Sequence, residues 1–192
     1  QSGYEGAVEV RQRHGALVDA ALALEPETRM LVLGKRGADT AGERGHLGSQ
    51  LEGVIRAMHH PVLIAQQSFS PPRRIMFAWD GSLTATRGLE MLARGALLQG
   101  IPVDVVTAGR DDDSTGASLA RARGILEGGG FDVTTAAMEG DPEDVLLAYR
   151  EAHGVDLVIM GAYGHSRIRR FLVGSTTTAL LSRCRVSMMV LR

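Results

Sequence analysis

One pattern of glycines is written twice in this chain, and it limits what the chain can fold into more than any other feature. Near the carboxyl end an apolar stretch runs into Met160-Gly161-Ala162-Tyr163-Gly164, and nine residues later Gly174-Ser175 opens a helical pattern. Earlier, Leu33-Gly34-Lys35-Arg36-Gly37 is followed after ten residues by Gly48-Ser49, again ahead of a helical pattern. Each copy closes on a further apolar strand, Val186 to Leu191 or Pro61 to Ala65. Glycines at a strand exit and a helix entrance let backbone N–H groups approach an anion unobstructed. The helix amino terminus adds about half a positive charge. The sequence therefore predicts a duplicated phosphate cradle on strand–loop–helix units.

The repetition extends beyond the glycines. Gly3-Tyr4-Glu5 matches Gly130-Phe131-Asp132, Val18 matches Val145, and Met30 to Gly34 matches Leu157 to Gly161, all 127 positions apart. At Gly48 and Gly174 the spacing is 126, so the first loop is one residue longer. Ser68-Phe69-Ser70-Pro71-Pro72 reads as a short stiff linker. This divides the chain into residues 1–67, a linker at 68–72, and a complete unit at 73–192. The first unit has only the second half of the plan: a third strand, a fourth and a fifth, without counterparts of the first two. Its third strand cannot reach its fourth, so residues 1–72 are not expected to stand alone. The start at Gln1 rather than Met points to a fragment.

In the complete unit, strands and helices alternate. Arg74 to Trp79 is a buried-type strand ended by Asp80-Gly81-Ser82, and residues 83–98 carry Leu89, Leu92 and Leu97 at helical spacing. Val103 to Thr107 and Val133 to Met138 are the next strands, with a helix bearing Leu119, Ile125 and Leu126 between them. Asp141-Pro142-Glu143-Asp144 is a helix start, with an acid cap, proline at the first position and acids in the first turn. Leu157 to Met160 and Val186 to Leu191 complete five strands. Helices between strands imply a parallel sheet covered on both faces, in order 3-2-1-4-5, with ligand over the carboxyl ends at the switch between strands one and four.

Here the residues carry a family resemblance. Gly161-Ala162-Tyr163-Gly164, with Gly174-Ser175-Thr176, resembles the G-x2-G-x9-G-(S/T) signature of the universal stress protein family. Ala78-Trp79-Asp80-Gly81-Ser82 resembles that family's first-strand motif. The resemblance covers residues 73–192 and, in half form, 1–67, as in tandem bacterial members. It implies a Rossmann-like α/β fold that binds ATP, with or without Mg²⁺. Gly161, Gly164, Gly174, Ser175 and Thr176 would contact ribose and phosphates, together with Met160 and His165. Asp80 would sit near the adenosine end, and the exit of strand two, including Thr107 and Ala108, would line adenine. The tandem members place their two units face to face across the final strands. Both final strands are apolar and short of protective charge, so they are expected at sheet edges, where they favour a homodimer or higher assembly.

Other features narrow the function further. A formal charge of −1 and 4% aromatic residues give no reason to expect nucleic acid. No apolar run approaches the ~20 residues of a membrane span. Cys184 is the only cysteine, which suits a reducing cytoplasm and a packed rather than reactive thiol. Arg167, Arg169 and Arg170 lie with His165 between the cradle glycines, where cations could meet phosphates or simply be solvated. Asp111, Asp112 and Asp113 read as a solvated turn, though acids there could attract Mg²⁺. His59-His60 falls at a helix carboxyl terminus, which suits imidazolium; adjacent helical residues point apart, so a metal pair is not expected. There is no P-loop, no Ser-His-Asp or Cys-His set, and a single lysine, Lys35. No base is placed to activate water, so turnover is expected to be slow or absent. The leading expectation is a regulatory ATP-binding protein; its rival is a nucleotide-free interaction module of the same fold.

Overall fold

The computed structural model describes residues 6–35, 49–68, 70–161 and 175–192; for Ser49 and Ser175 it describes the backbone alone. In chain order the elements are α1 (Leu17–Leu24), β1 (Leu31–Gly34), α2 (Ser49–Ala57), β2 (Val62–Ala65), β3 (Ile75–Ala78) and α3 (Leu83–Arg94). There follow β4 (Val103–Ala108), α4 (Asp113–Gly128), β5 (Val133–Met138), α5 (Pro142–Ala152), β6 (Leu157–Gly161), α6 (Ser175–Arg183) and β7 (Ser187–Leu191). A short 3-10 turn, Glu25–Glu27, follows α1.

The strands form one sheet, in the order β1-β2-β7-β6-β3-β4-β5. Every neighbouring pair is parallel except β2 with β7, which run antiparallel with Val62 opposite Val190, Leu63 opposite Met189 and Ile64 opposite Met188. This corrects the five-stranded expectation. Within residues 75–191 the neighbours do run β5-β4-β3-β6-β7, which is the 3-2-1-4-5 order, but β1 and β2 continue the sheet past β7. It also corrects the expected edges. The unprotected apolar strands Val62–Ala65 and Ser187–Leu191 pair with each other, leaving β1 and β5 outermost. Residues 6–16 form neither helix nor strand, and Val8 and Val10 are 77% and 90% exposed. The third strand expected in the amino-terminal unit is absent from residues 6–16.

Period-two alternation sends the strand side chains into two apolar layers. On one face Met76, Val106, Val158, Met160, Met188, Val190, Val62 and Ile64 pack with residues of α2 (Leu51, Val54, Ile55), α5 (Leu146, Tyr149) and α6 (Leu180, Leu181). Cys184 is part of this layer, and burial pushes its thiol pKa up, as expected for a packed and unreactive cysteine. On the other face Phe77, Trp79, Val105, Ile159 and Met189 pack against Leu89 and Leu92 of α3 and Leu119, Ala122 and Leu126 of α4. That second layer is thin over β1, where Val32 is 52% exposed.

The helix starts are set by side chains that accept from otherwise unpaired N–H groups. Ser82 Oγ accepts from Ala85 N at 3.0 Å, Asp112 Oδ1 from Thr115 N at 2.8 Å, and Asp141 Oδ1 from Glu143 N at 3.0 Å ahead of Pro142. The acid run 111–113 thus has a structural use: the bonds from Thr115 hold the Asp112 carboxyl below the usual carboxylate range. At the amino end of the sheet, buried Asp104 takes both arms of Arg74, Nε at 2.7 Å and Nη2 at 2.9 Å. Asp104→Ala should cost about 2–3 kcal/mol, because Arg74 keeps its charge with its partner gone and is only partly solvated; urea unfolding midpoints measure it.

His59 and His60 meet an anion rather than only a helix end. Both backbone N–H groups donate to the Glu25 carboxylate, His60 at 3.0 Å, and His59 Nδ1 lies 3.3 Å from it. Burial raises the Glu25 pKa, but these donors outweigh it and hold the carboxyl below its ordinary value. The resulting stability is therefore complete above the unfolded carboxylate range, about 4.3, and is lost as pH falls through the lower folded value. Glu25→Gln should flatten that acid limb in a stability–pH series, and an unchanged limb would contradict the assignment.

Candidate functional site

The central strand of residues 73–192 is β3, flanked by β4 on one side and β6 on the other. All three are parallel, so their carboxyl ends open at one rim. The chain leaves β3 to cross one face through α3, and leaves β6 to cross the other through α6. A crevice at such a divergence is where open α/β sheets take ligands. Register brings the expected residues to it: Ala78 lies opposite both Val106 and Met160, so Asp80, Thr107, Ala108 and Gly161 lie at neighbouring strand exits.

The β3 exit is tightly built. Asp80 is exposed, and its Oδ1 accepts from Ser82 N at 3.0 Å, so the carboxylate is braced at the surface. Gly81 sits at φ +71°, a conformation that favours glycine, so the chain can turn at once into the Ser82 cap. Gly161 has a steric task of its own. A Cβ there would lie 3.3 Å from Thr84 Cγ2 and 3.4 Å from Ala85 N, so the β6 exit passes hard against the first turn of α3. The Met160 side chain is buried in the core, leaving only its backbone for a ligand. Thr107 and Ala108 are half-buried at the β4 exit. Helix α6 begins at Ser175, with Thr176 half-buried and Thr177 buried. Gly164, His165, Arg167, Arg169, Arg170 and Gly174 lie outside the described residues, as do Gly37 and Gly48 of the first copy.

Two residues at or near the sheet gain roles that sequence reasoning did not assign. Trp79, the only tryptophan, is buried directly before Asp80; its Nε1 donates to Ser118 Oγ at 2.9 Å, and the Arg121 guanidinium lies 5.7 Å from its ring centroid. The signal available was the i, i+3 spacing of Ser118 and Arg121 on one face of α4, but nothing in the sequence names the ring they meet. Lys35 donates Nζ–H to the carbonyls of Ser182 and Cys184, at 3.1 and 2.6 Å, far from it in sequence.

Comparison with known proteins agrees with this fold. The universal stress protein family model matches residues 116–192. The universal stress protein Slr1230 of Synechocystis sp. is 34% identical over 194 residues, covering 100% of this chain and 67% of that protein. A universal stress protein from Archaeoglobus fulgidus superposes with a TM-score of 0.74 at 26% identity, covering 91% of this chain and 66% of that one. A universal stress protein in complex with cAMP shares the fold, with a TM-score of 0.55 at 22% identity over 64% of this chain and 98% of that one. The chain belongs to the universal stress protein family. It spans about two thirds of the length of the first two of these relatives.

Gly161→Val should destabilise the fold by about 1–3 kcal/mol, since a branched side chain must displace the first turn of α3. A lowered Tm together with altered Trp79 emission would show the strain reaching the β3 exit; a wild-type Tm would show that the close approach carries no constraint.

Proposed function

We propose that this protein binds ATP, or another adenine nucleotide, at the carboxyl ends of β3, β4 and β6, and acts as a regulatory stress-response protein with little or no turnover. The observation that carries the reading is Asp80: an exposed acid at the exit of the central strand, braced by Ser82 N, with the exits of β4 and β6 on either side of that strand. In this reading the Asp80 carboxylate accepts from a ribose hydroxyl, and Thr107 and Ala108 lie along adenine. The Met160–Gly161 backbone, Gly164, His165, Gly174, Ser175 and Thr176 surround the phosphates, with any Mg²⁺ carried by the triphosphate. A family member solved with cAMP supports an adenine nucleotide as a ligand this fold accommodates. Residues 73–192 form the complete domain, residues 1–67 the second half of another, and 68–72 their linker. A reducing cytoplasm suits the packed Cys184.

Calorimetry should find one ATP per chain, and Trp79 fluorescence should report the same saturation from beside Asp80. Asp80→Ala should weaken binding about tenfold, the worth of one charge-assisted hydrogen bond. Gly174→Val in a folded protein should weaken it further by blocking the phosphates. Unchanged affinity in both variants would falsify the assignment, and two ATP per chain would contradict a half site in residues 1–67.

A specific observation favours association as well. With β2 and β7 paired inside the chain, β1 and β5 are the outer strands among the described residues, and β1 presents the more exposed apolar side chain, Val32 against Met138 of β5. A second copy meeting this edge would make a homodimer. Light scattering should then show a dimer at tens of micromolar that Val32→Lys returns to monomer; a wild-type monomer at that concentration excludes it.

A further inference from the structure

Helix α6 is fastened at its carboxyl end by the amino-terminal segment. Lys35, directly after β1, donates to the carbonyls of Ser182 and Cys184, at 3.1 and 2.6 Å. Gln66, directly after β2, donates Nε2–H to Val186 O at 2.9 Å. Together these carbonyls span the turn from α6 into β7. The reach follows from the antiparallel seam, because Ile64 lies opposite Met188 and brings the carboxyl ends of β1 and β2 to the start of β7.

The last carbonyls of a helix lack intrahelical partners and carry partial negative charge, so a half-buried ammonium is well matched to them. Other ties also leave the α6 unit. Arg183 pairs with Glu143 and, at 3.1 Å, Asp144 at the start of α5, and Thr178 Oγ1 donates to Glu52 of α2 at 3.3 Å. Helix α6 has nine residues, so its two ends are ~13 Å apart on a rod that does not stretch. A displacement of Ser182 along the helix axis is carried to Ser175.

We propose that Lys35 is a positioning residue for the nucleotide site: by holding the carboxyl end of α6 it sets where the backbone of Ser175–Thr177 meets the phosphates. The amino-terminal segment thereby tunes the affinity of the carboxyl-terminal domain. This rests on the adenine-nucleotide reading above. It assigns the incomplete amino-terminal unit a task that does not require it to bind ligand itself.

The test measures ATP affinity and Tm together in the full chain. Lys35→Met should raise the Kd by on the order of three- to tenfold at unchanged stoichiometry, the scale of a coupling carried by one packed element. Lys35→Arg, which keeps the charge, should recover affinity close to wild type. Leu98→Ala, a core change on the opposite face of the sheet, should lower Tm and leave the Kd unchanged. That separates positioning from general loosening. If Lys35→Met does not fold, Lys35→Gln, which keeps a donor and drops the charge, takes its place with the same expected rise. Wild-type affinity in the folded Lys35 variant overturns the proposal and leaves the nucleotide reading standing. Absence of ATP binding by the wild-type chain overturns the reading itself, and the proposal with it.

Discussion

The antiparallel ladder between β2 and β7 is the contact on which the rest of the molecule depends. Without it the amino-terminal segment would be one helix and a strand–helix–strand unit with two open edges and an apolar face. With it, Val62 and Ile64 enter the same layer as Met188 and Val190, and α2 and α6 cover that layer side by side. Burying an apolar side chain there is worth about 1.5–3 kcal/mol, and the segment contributes several such side chains. The ladder hydrogen bonds contribute less net energy but fix the register, which decides which side chains reach the core.

The candidate site inherits its geometry from the same sheet. Its floor is the parallel trio β4-β3-β6, whose exits are level because Ala78 stands opposite both Val106 and Met160. Two glycines then let the backbone turn and pack where side chains would interfere, Gly81 by conformation and Gly161 by proximity to α3. Asp80 is left as the polar group at the centre of the rim. Rigidity beneath it comes from buried Trp79, anchored to Ser118 and covered by Arg121.

Much of this was legible in the residues. Strand and helix positions in 73–192 follow from alternation, from Asp141-Pro142 and from the Gly81-Ser82 turn, because each is decided by neighbours within a few positions. Asp80, Thr107, Ala108 and Gly161 could be placed at one rim for the same reason, once the order of strands was inferred. The fate of residues 6–16 and of the two apolar end strands was not legible. Whether Val186 to Leu191 is an edge depends on what lies opposite, and Met189 carries no mark of Leu63. Long-range polar contacts fared the same way. The links from Lys35 to Ser182, Arg74 to Asp104 and Glu25 to His60 join residues whose individual patterns predict only exposure.

Strand direction reverses once across the sheet, and this has an electrostatic consequence. The helices α2 and α6 share a layer but start from opposite rims, so the positive end of each lies on the side where the other finishes. The dipoles of this pair oppose, but α3, α4, α5 and α6 all start at the rim where β3 to β6 end, so that rim gathers more positive helix ends than the rim where α2 starts. The helix field of the sheet is therefore lopsided, and an anion approaching the molecule is drawn to the rim that carries Asp80 and Gly161 more than to the other, a preference that rising ionic strength should weaken.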